Sequence, residues 1–556
     1  MANQSAVPES DAPHSVAVNR AAAPSPEGIA ILLVGCAIAC GAMLRFLPAL
    51  VSDFPLNDGG MFYIMARELQ RAHFDLPYFT AYNAAPGGAS IPFAYPPLGF
   101  YLAAALSSLT GCSILALLQY LPPLASSLAI PAFYLLGLTL LKSRKQAVLA
   151  TFAFALLPRD FAWMIMGGGL TRAPAFVFAL LALQQTYYLV TTRERRYIVT
   201  TSLLAALTVL THAELAYFLI YSAMLFCAFW GRDRANIARV LGVVAGTAAL
   251  SAPWWALVLA RHGMSPFLAA AGTGRGDWFS WSSLLGFNFT SETYLPLLAA
   301  TGLLGIFACL AEKRWLLPVW LVAIFFVQPR SSLVYSMVPL SLLIGIALDR
   351  LILPQLQTLR GQIAATANRG RDPLNALVLA CYFLFAFMSA FAISSGAAQL
   401  RPLPPGERAA MEWVATNTPP NEKFLVLAGS GVGGSAGWAQ DCSAEWFPAL
   451  AQRVSVATVQ GSEWLPGRFY TLHANAEQLQ SCAYSDEACL ARWAVRENVS
   501  YDAVYVAKPQ LAKSSNAMPE KPYASVERSL RKSTRYIPIF ENSCAVIFAL
   551  NKISRG

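Results

Sequence analysis

The sequence predicts an α-helical membrane protein with about 11–13 transmembrane helices, followed by a C-terminal α/β domain outside the membrane. The composition is the first reason, because 56% of the 556 residues are apolar and only 13% are charged, a balance too apolar for a soluble protein of this size. The second reason is a series of apolar runs of about 15 to 25 residues, the length that crosses the ~30 Å hydrocarbon core. The third is the placement of basic residues between those runs.

Three regions of the chain differ in composition. Residues 1–28 are rich in Ala, Pro and Ser and are predicted to form a disordered cytoplasmic N-terminus. Residues 29–400 hold the apolar runs, and residues 401–556 form the soluble domain. The run at residues 113–141 is interrupted by Pro122 and Pro123, so it crosses either once or twice. The other predicted spans lie near residues 29–50, 96–111, 147–165, 172–190, 198–211, 214–230, 236–260, 295–311, 315–329, 332–348 and 374–396.

Charge predicts the orientation of these spans, since Lys and Arg next to span ends stay on the cytoplasmic side. Even numbers of spans separate five basic segments, which are therefore all placed inside. The C-terminal domain then lies outside. The segment after the first span also lies outside if residues 96–141 cross the membrane an odd number of times. Three crossings in residues 96–141 would give about 13 crossings in total. Topology accounts for the net charge of +10, so no nucleic acid partner is expected. The basic segments are residues 142–145, 193–196, 231–234, 312–314 and 349–372.

A long polar segment follows the first span. We define the first outer loop as residues 51–95; it contains the acid Asp58 and a helix signal at residues 60–71. Pro96 and Pro97 follow it and open the next predicted span. Connections between membrane helices normally need only a few residues. The length of the first outer loop and its lone acid near the start therefore indicate a functional site.

Ionisable residues gather in the other turns that are predicted to face outward. Charged groups at membrane depth are costly and usually mark a site or a pathway. Two interpretations remain open: these residues line one cavity together with Asp58, or each lies singly among solvated headgroups. They are Arg159, Asp160, Arg172, His212, Glu214 and Arg330, with Arg275 in a long loop at residues 261–294.

Four of the ten cysteines lie in the C-terminal domain, namely Cys442, Cys482, Cys489 and Cys544. An even number in a domain placed outside by charge favours disulfides, because compartments outside the cytoplasm are oxidising. Three pairings are open, and a bond between Cys482 and Cys489 would close the shortest loop. Four reduced thiols are the alternative.

The C-terminal domain alternates helix and strand patterns, which predicts a small α/β unit. Helical periodicity covers residues 407–418 and 487–498, and strand patterns cover residues 423–428, 453–459 and 501–507. A Gly-rich run at residues 429–434 follows a strand, but it lacks the second strand and acid of a dinucleotide site and predicts a flexible loop. A group of aromatic and acidic residues forms either an acceptor-binding surface or plain core, with core favoured. Its members are Trp438, Asp441, Glu445, Trp446 and Trp464.

Several segments resemble GT-C glycosyltransferases, the polytopic class that includes oligosaccharyltransferase catalytic subunits, protein mannosyltransferases and the aminoarabinose transferases of lipid A. The resemblance lies in the loop acid with its helix (NDGGMFYIMARELQ), the Pro-Pro opening (YPPLGFYLAAAL) and the order of spans followed by a soluble domain. The runs GGGLTRAPAFVFALLAL and LTHAELAYFLI are similar to uncharacterised bacterial members. The resemblance covers most of residues 29–400. It implies a GT-C-like fold and transfer of a sugar from a polyprenyl-phosphate donor to a lipid, glycan or protein acceptor at the outer face of a bacterial inner membrane.

The resemblance also implies a role for Asp58, which matches the loop acid of the class. Such an acid takes the proton of the acceptor or holds a divalent metal beside the leaving phosphate. Many members pair two acids in this loop, whereas Asn57 and Gly59 flank a single Asp here, which argues against a metal site built from the loop alone. Asp160 is the candidate for a second ligand. The alternative for Asp58 is a cap of the helix at residues 60–71.

The donor phosphate needs a cation, and the resemblance does not identify one. Tyr95 stands where aminoarabinose transferases have a Lys, which leaves a set of arginines, since a planar guanidinium suits paired phosphate oxygens. His212 with Glu214 forms a proton relay, orients a sugar hydroxyl, or only caps a helix. A lipid-linked sugar flippase and a non-catalytic envelope assembly protein are the other functions considered, and Asp58 favours the enzyme over both. The arginines are Arg159, Arg172, Arg275 and Arg330.

Overall fold

The computed structural model describes residues 26–85, 89–274, 278–363, 373–396, 400–428, 442–457, 459–508 and 524–551. The predicted N-terminal disorder at residues 1–25, the Gly-rich run at residues 429–434, and Arg275, Trp438 and Asp441 lie outside the described residues. The helices of the membrane region are α1 (Pro26–Val51), α2 (Gly60–Arg71), α3 (Leu98–Thr110), α4 (Ile114–Leu141), α5 (Arg144–Leu156), α6 (Pro158–Phe161), α7 (Gly169–Thr192), α8 (Arg196–Thr211), α9 (Ala213–Trp230), α10 (Arg234–His262), α11 (Ser265–Gly272), α12 (Leu297–Ala311), α13 (Leu316–Val327), α14 (Ser332–Tyr335), α15 (Met337–Ala347), α16 (Leu353–Ile363) and α17 (Pro373–Gly396).

Helices and strands alternate after residue 400, as predicted for an α/β domain. The helices are α18 (Pro405–Asn417), α19 (Cys442–Ala451), α20 (Phe469–Ser481), α21 (Glu487–Arg496) and α22 (Ala524–Lys532). The strands of the whole chain are β1 (Phe79–Ala85), β2 (Ala89–Pro92), β3 (Lys423–Leu427), β4 (Val454–Ser455), β5 (Ala503–Ala507), β6 (Tyr536–Glu541) and β7 (Ala545–Leu550).

Seven helices of the described chain are long and apolar enough to cross a membrane. They correspond to predicted spans and make the chain a multi-pass membrane protein. Four further apolar helices are shorter, namely α3, α8, α12 and α13. The seven long stretches are Glu27–Val51, Ile114–Leu141, Gly169–Thr192, Ala213–Trp230, Arg234–His262, Pro329–Thr358 and Leu374–Ser395.

The structure resolves how residues 113–141 cross. They form one continuous helix, α4, through Pro122 and Pro123. It runs antiparallel to α1, because Gln119 near its start donates hydrogen bonds to the carbonyls of Ala49 and Ser52, each at 2.8 Å. Near its other end, Arg144 forms an ion pair with Glu27 at 2.9 Å. This segment therefore crosses once.

The predicted span at residues 96–111 is wrong, because α3 begins and ends on the face where α1 ends. Its start lies against the start of α7, where a side chain on Gly99 would approach the Thr171 methyl within 2.8 Å. Its end leads directly into α4. It is apolar because Phe100, with Ala103 and Ala104, packs in a core shared with α2.

Ion pairs join basic segments on the face of the membrane region opposite the first outer loop. The charge pattern predicted that these segments share one face. Lys145 pairs with Asp349 at 2.8 Å, and Arg193 pairs with Asp233 at 2.8 Å. With α3 set aside, we infer eleven crossings among the described helices, within the predicted range. The crossing helices are α1, α4, α5, α7, α8, α9, α10, α12, α13, α15 and α17.

One sheet joins the first outer loop to the C-terminal domain. Its seven strands are ordered β2-β1-β4-β3-β5-β7-β6. The loop hairpin β1–β2 extends the domain sheet through parallel pairing of Asn83 with Ser455. The central pairs β4–β3 and β3–β5 are parallel, and β5–β7 and β7–β6 are antiparallel. The first outer loop and the domain therefore lie on the same face of the membrane region.

The structure joins Cys482 to Cys489 by a disulfide, the pair with the shortest loop. Cys442 and Cys544 are thiols in the structure. The Cys442 thiol donates to the carbonyl of Arg401, and Cys544 is buried beside Gly406.

Candidate active site

Asp58 lies where the first outer loop, the start of α7 and the C-terminal domain meet. One carboxylate oxygen accepts a hydrogen bond from the Gly168 backbone N–H at 2.9 Å, and the other forms an ion pair with the guanidinium of Arg172. The Asp58 side chain keeps 26% of its surface exposed, whereas Arg172 keeps 3%. Each carboxylate oxygen can accept more than one hydrogen bond. Asp58 can therefore still receive a proton from a bound molecule.

Asp58 does not cap the helix that follows it. The N-cap residue of α2 is Gly59, which has no side chain that can accept a capping hydrogen bond. The first N–H groups of a helix need acceptors, and here Glu445 of α19 supplies one. Its carboxylate accepts from the backbone N–H groups of Gly59 at 3.3 Å and Met61 at 3.2 Å. The cap expected from Asp58 is provided by a residue of the C-terminal domain.

The glycines of the GGGLTR run permit this close approach. A Cβ on Gly167 would lie 2.1 Å from the Asp58 carbonyl oxygen, and one on Gly168 would lie 2.6 Å from the Asp58 carboxylate. The Gly167 N–H also donates to the Leu56 carbonyl at 2.9 Å. Residues with side chains at these two positions would push the acid away from Arg172.

Arg172 is held by more than its ion pair. Its guanidinium donates to the Trp163 carbonyl at 3.1 Å and lies over the Trp163 ring, 4.5 Å from the centroid. These contacts fix both the position and the plane of the guanidinium. Arg172 therefore serves as a rigid partner that orients the Asp58 carboxylate.

Tyr95 connects the acid to the turn that precedes α9. Its ring packs against Phe62 at 5.3 Å, His212 at 6.0 Å and Trp464 at 5.8 Å between ring centroids. Burial raises the pKa of Tyr95, a hydrogen bond with Thr171 and the charge of Arg172 oppose that rise, and the charges of Glu463 and Glu214 add to it.

His212 and Glu214 open α9 from the same turn. The His212 Nδ1 accepts from the Leu215 N–H at 3.4 Å, so it caps α9 as the capping alternative expected. Burial lowers the pKa of His212, and the charges of Arg172 and Arg330 lower it further. The Glu214 carboxylate accepts from the Ser331 hydroxyl. Both residues therefore belong to the same charged group as Asp58.

Arg330 closes the other side of this group. Its guanidinium donates to the Thr273 hydroxyl at 3.1 Å and lies 5.3 Å from the centroid of the Phe469 ring. It is exposed and forms no salt bridge within the described residues. The Tyr470 hydroxyl donates to the Thr273 carbonyl at 3.1 Å. The loop at residues 261–294 and the C-terminal domain therefore meet beside Arg330.

Two acids and a histidine of the C-terminal domain join the group. Burial raises the pKa of Glu445 to about 8, and the nearby charge of Asp58 adds to the rise. Burial also raises the pKa of Glu463, on which the charges of Arg330 and Glu214 act in opposite directions. Burial lowers the pKa of His473 to about 4, with a further contribution from Arg330. Shifted pKa values that cluster around cations are typical of functional sites.

Asp160 has a different partner. It forms an ion pair with Arg45 of α1 at 3.0 Å, and both side chains are almost completely buried. Arg45 also donates to the Ser126 hydroxyl and to the carbonyls of Gly41 and Ala155. Arg159, beside Asp160, forms no salt bridge in the described part of the chain. Asp160 therefore joins three membrane helices through Arg45.

The fold can be compared with solved structures. No family model matches the chain, and no curated protein matches its sequence. The oligosaccharyltransferase AglB from Archaeoglobus fulgidus, in complex with an inhibitory peptide and a dolichol-phosphate, superimposes with a TM-score of 0.55 at 15% identity, over 86% of this chain and 69% of that one. ArnT from Cupriavidus metallidurans bound to undecaprenyl phosphate gives 0.53 at 14%, over 96% and 100%. The chain has a GT-C fold.

A third match supports the same fold. The arabinofuranosyltransferase AftD from Mycobacteria gives a TM-score of 0.55 at 15% identity, over 93% of this chain and 40% of that one. Identities this low establish architecture alone. In this architecture, α2 belongs to the first outer loop, α3 follows that loop, and both helices lie on the same face as the C-terminal domain.

The GT-C fold brings together most of the residues that the sequence indicated. Sequence reasoning missed the parts of the site that the domain contributes. Glu445 was considered only as part of a surface or core rich in Trp, and Glu463 and His473 carry no local signal. Arg45 is a lone cation in an apolar run, and nothing in the sequence pairs it with Asp160. The residues brought together are Asp58, Tyr95, Arg172, His212, Glu214 and Arg330.

Proposed function

We propose that this protein transfers a sugar from a polyprenyl-phosphate donor to an acceptor on the face where Asp58 and the C-terminal domain lie. The observation that carries the proposal is the Asp58 carboxylate, partly exposed and held between Arg172 and the start of α7. The lipid phosphates named with the AglB and ArnT structures support this donor class.

Asp58 is the general base in this proposal. The acceptor, an alcohol or an amide, attacks the anomeric carbon of the donor sugar and loses its proton to the Asp58 carboxylate. The bond between that carbon and the phosphate oxygen breaks, and the polyprenyl phosphate leaves with the electron pair. A base positioned within hydrogen-bonding distance typically contributes a factor of about 10² to 10⁴ to the rate.

Two arginines take different roles, because their contacts differ. Arg172 is nearly buried and already paired with Asp58, so it orients the base. Arg330 is exposed, has its guanidinium over the Phe469 ring, and has guanidinium N–H groups left to donate. Arg330 is therefore the residue to which we assign the donor phosphate, since charge-assisted contacts to phosphate are among the strongest hydrogen bonds.

The proposed step uses no divalent metal. In the described segments, no group of three or more His, Cys, Asp or Glu residues is arranged to hold an ion. The two acids expected as ligands are bonded to separate cations, Asp58 to Arg172 and Asp160 to Arg45. The proposed step therefore assigns Asp58 to the proton and Arg330 to the phosphate.

The charge pattern supports the orientation, and the resemblance to bacterial GT-C proteins supports the location. We infer that the protein resides in a bacterial inner membrane with its basic segments in the cytoplasm and its C-terminal domain outside. The donor sugar would then be transferred outside the cytoplasm. The acceptor is a lipid, glycan or protein that reaches the group of residues between the first outer loop and the domain.

Measuring the reaction on purified protein tests the proposal. Polyprenyl phosphates carrying different labelled sugars are incubated with the chain and envelope extract, and release of polyprenyl phosphate and transfer of label are followed. We expect both to occur for at least one donor sugar. If the protein stays folded and transfers sugar from none of the donors in a broad panel, the proposed function is contradicted.

Variants separate the roles of the two arginines. Arg330→Ala should weaken donor binding by roughly 1.5–3 kcal/mol, the value of a hydrogen bond to a charged group, whereas Arg172→Ala should mainly slow transfer. Arg408→Ala is the matched control, because Arg408 pairs with Asp53 on the same face outside the site. Unchanged donor affinity in Arg330→Ala would remove Arg330 from the phosphate site.

A further inference from the structure

Glu445 is an acid whose position links the C-terminal domain to the reacting loop. Its side chain is 6% exposed, and one carboxylate oxygen receives the N–H groups of both Gly59 and Met61. These two N–H groups flank the start of α2 and follow Asp58 directly. No side chain of the first outer loop caps this helix in the described structure.

Neighbouring contacts make the same connection. The Trp446 indole N–H donates to the Asn57 carbonyl at 2.8 Å. The side-chain carbonyl of Asn57 accepts from the Arg401 N–H at 2.8 Å. A Cβ on Gly60 would lie 2.1 Å from the Glu445 carbonyl oxygen, so the helix start touches α19 itself. The residues on both sides of Asp58 are therefore held by the domain.

We propose that Glu445 is a positioning residue for Asp58, through which the C-terminal domain fixes the geometry of the proposed base. The proposal rests on the proposed function, in which Asp58 takes the proton of the acceptor. Arg172 and Gly168 hold the carboxylate from the membrane side. Glu445 holds the backbone of the following residues from the domain side.

Loss of the Glu445 acceptor should slow sugar transfer even though Asp58 itself is still present. If the start of α2 loses its acceptor, the Asp58 backbone can shift relative to α7. Displacements of about 1 Å at a reacting group can cost about a hundredfold in rate. The Glu445 contact therefore couples the position of the base to the C-terminal domain.

Two substitutions distinguish positioning from simple structural support. Glu445→Gln keeps an oxygen that can accept from Gly59 and Met61, whereas Glu445→Ala removes it. Glu407→Gln is the matched control, because Glu407 is a buried acid of the same domain whose carboxylate accepts from the Ser443 and Tyr505 hydroxyls.

Hydrogen exchange of the full chain measures the contact independently of activity. We expect the amides of residues 59–61 to exchange faster in Glu445→Ala and near the unsubstituted rate in Glu445→Gln and Glu407→Gln. We also expect kcat for transfer to fall about tenfold to a hundredfold in Glu445→Ala with KM for the donor little changed, and Glu445→Gln to recover most of that loss.

The outcomes separate this proposal from the proposed function. Unchanged exchange in Glu445→Ala would overturn the contact, whether or not transfer is observed. Faster exchange with unchanged kcat would overturn the positioning role. Faster exchange in a chain that transfers no sugar at all would instead refute the proposed function and, with it, the positioning role, while leaving the contact intact.

Discussion

Replacing Asp160 by Ala should destabilise the membrane region strongly, because it leaves the guanidinium of Arg45 buried without an opposite charge. Both side chains are almost fully buried, and the three other bonds of Arg45 are to neutral oxygens. Removing one partner of a buried ion pair costs about 3–5 kcal/mol. The free energy of unfolding can be measured by titration with dodecyl sulfate in mixed micelles.

A double substitution makes this prediction specific. Arg45→Met combined with Asp160→Leu removes both charges and keeps apolar volume, and such exchanges are often neutral or stabilising. We expect the double variant to recover most of the lost stability and to transfer sugar. If Asp160→Ala lowers the free energy of unfolding by less than about 1 kcal/mol, far below the value expected for a buried pair, the structural role of the Arg45–Asp160 pair is refuted. An inactive but stable double variant would return Asp160 to the catalytic site.

Three other predictions follow from the site and the topology. Burial raises the pKa of Glu445 from 4.5 to about 8, so its contribution to stability should be complete below pH 4.5 and lost as pH rises to about 8. In unfolding titrations, the free energy of unfolding should therefore fall less steeply with pH in Glu445→Gln than in the unsubstituted protein. Equal slopes in the two proteins would contradict this prediction. An impermeant maleimide should label Cys442 in intact cells and lose this signal in Cys442→Ser, whereas labelling only after lysis would reverse the orientation; Cys544 is a poor probe because it is buried. Treatment with EDTA should leave the transfer rate unchanged, and a loss restored by a divalent ion would require metal ligands that this account does not assign.

Much of the membrane region could be predicted from the sequence, because charges are rare in an apolar chain. Their positions show whether the number of membrane crossings between them is odd or even. This reasoning placed Arg172, His212 and Arg330 on the face of Asp58, where the structure finds them. It failed at α3, because an apolar helix that packs against a loop helix has the same local pattern as a short span.

The remaining differences arise from partners that are distant in sequence. Asp58 has the residue type and the position of an N-cap, but Glu445 occupies the helix start from 386 residues away. Likewise, the hairpin β1–β2 was not predicted within a polar loop, since its pairing depends on Ser455 of the C-terminal domain. Local patterns carry no information on which distant residue will satisfy a buried group.

The transfer rate of Asp58→Asn tests the central claim most directly. Asn keeps the size of Asp58 and an oxygen that can accept from Gly168, but it is not a base, so the folded variant should lose about a hundredfold or more in rate. The measurement compares label transfer at saturating donor in the two proteins, with folding checked by unfolding titration. A folded Asp58→Asn variant with near-normal transfer would contradict the assignment of Asp58 as the base.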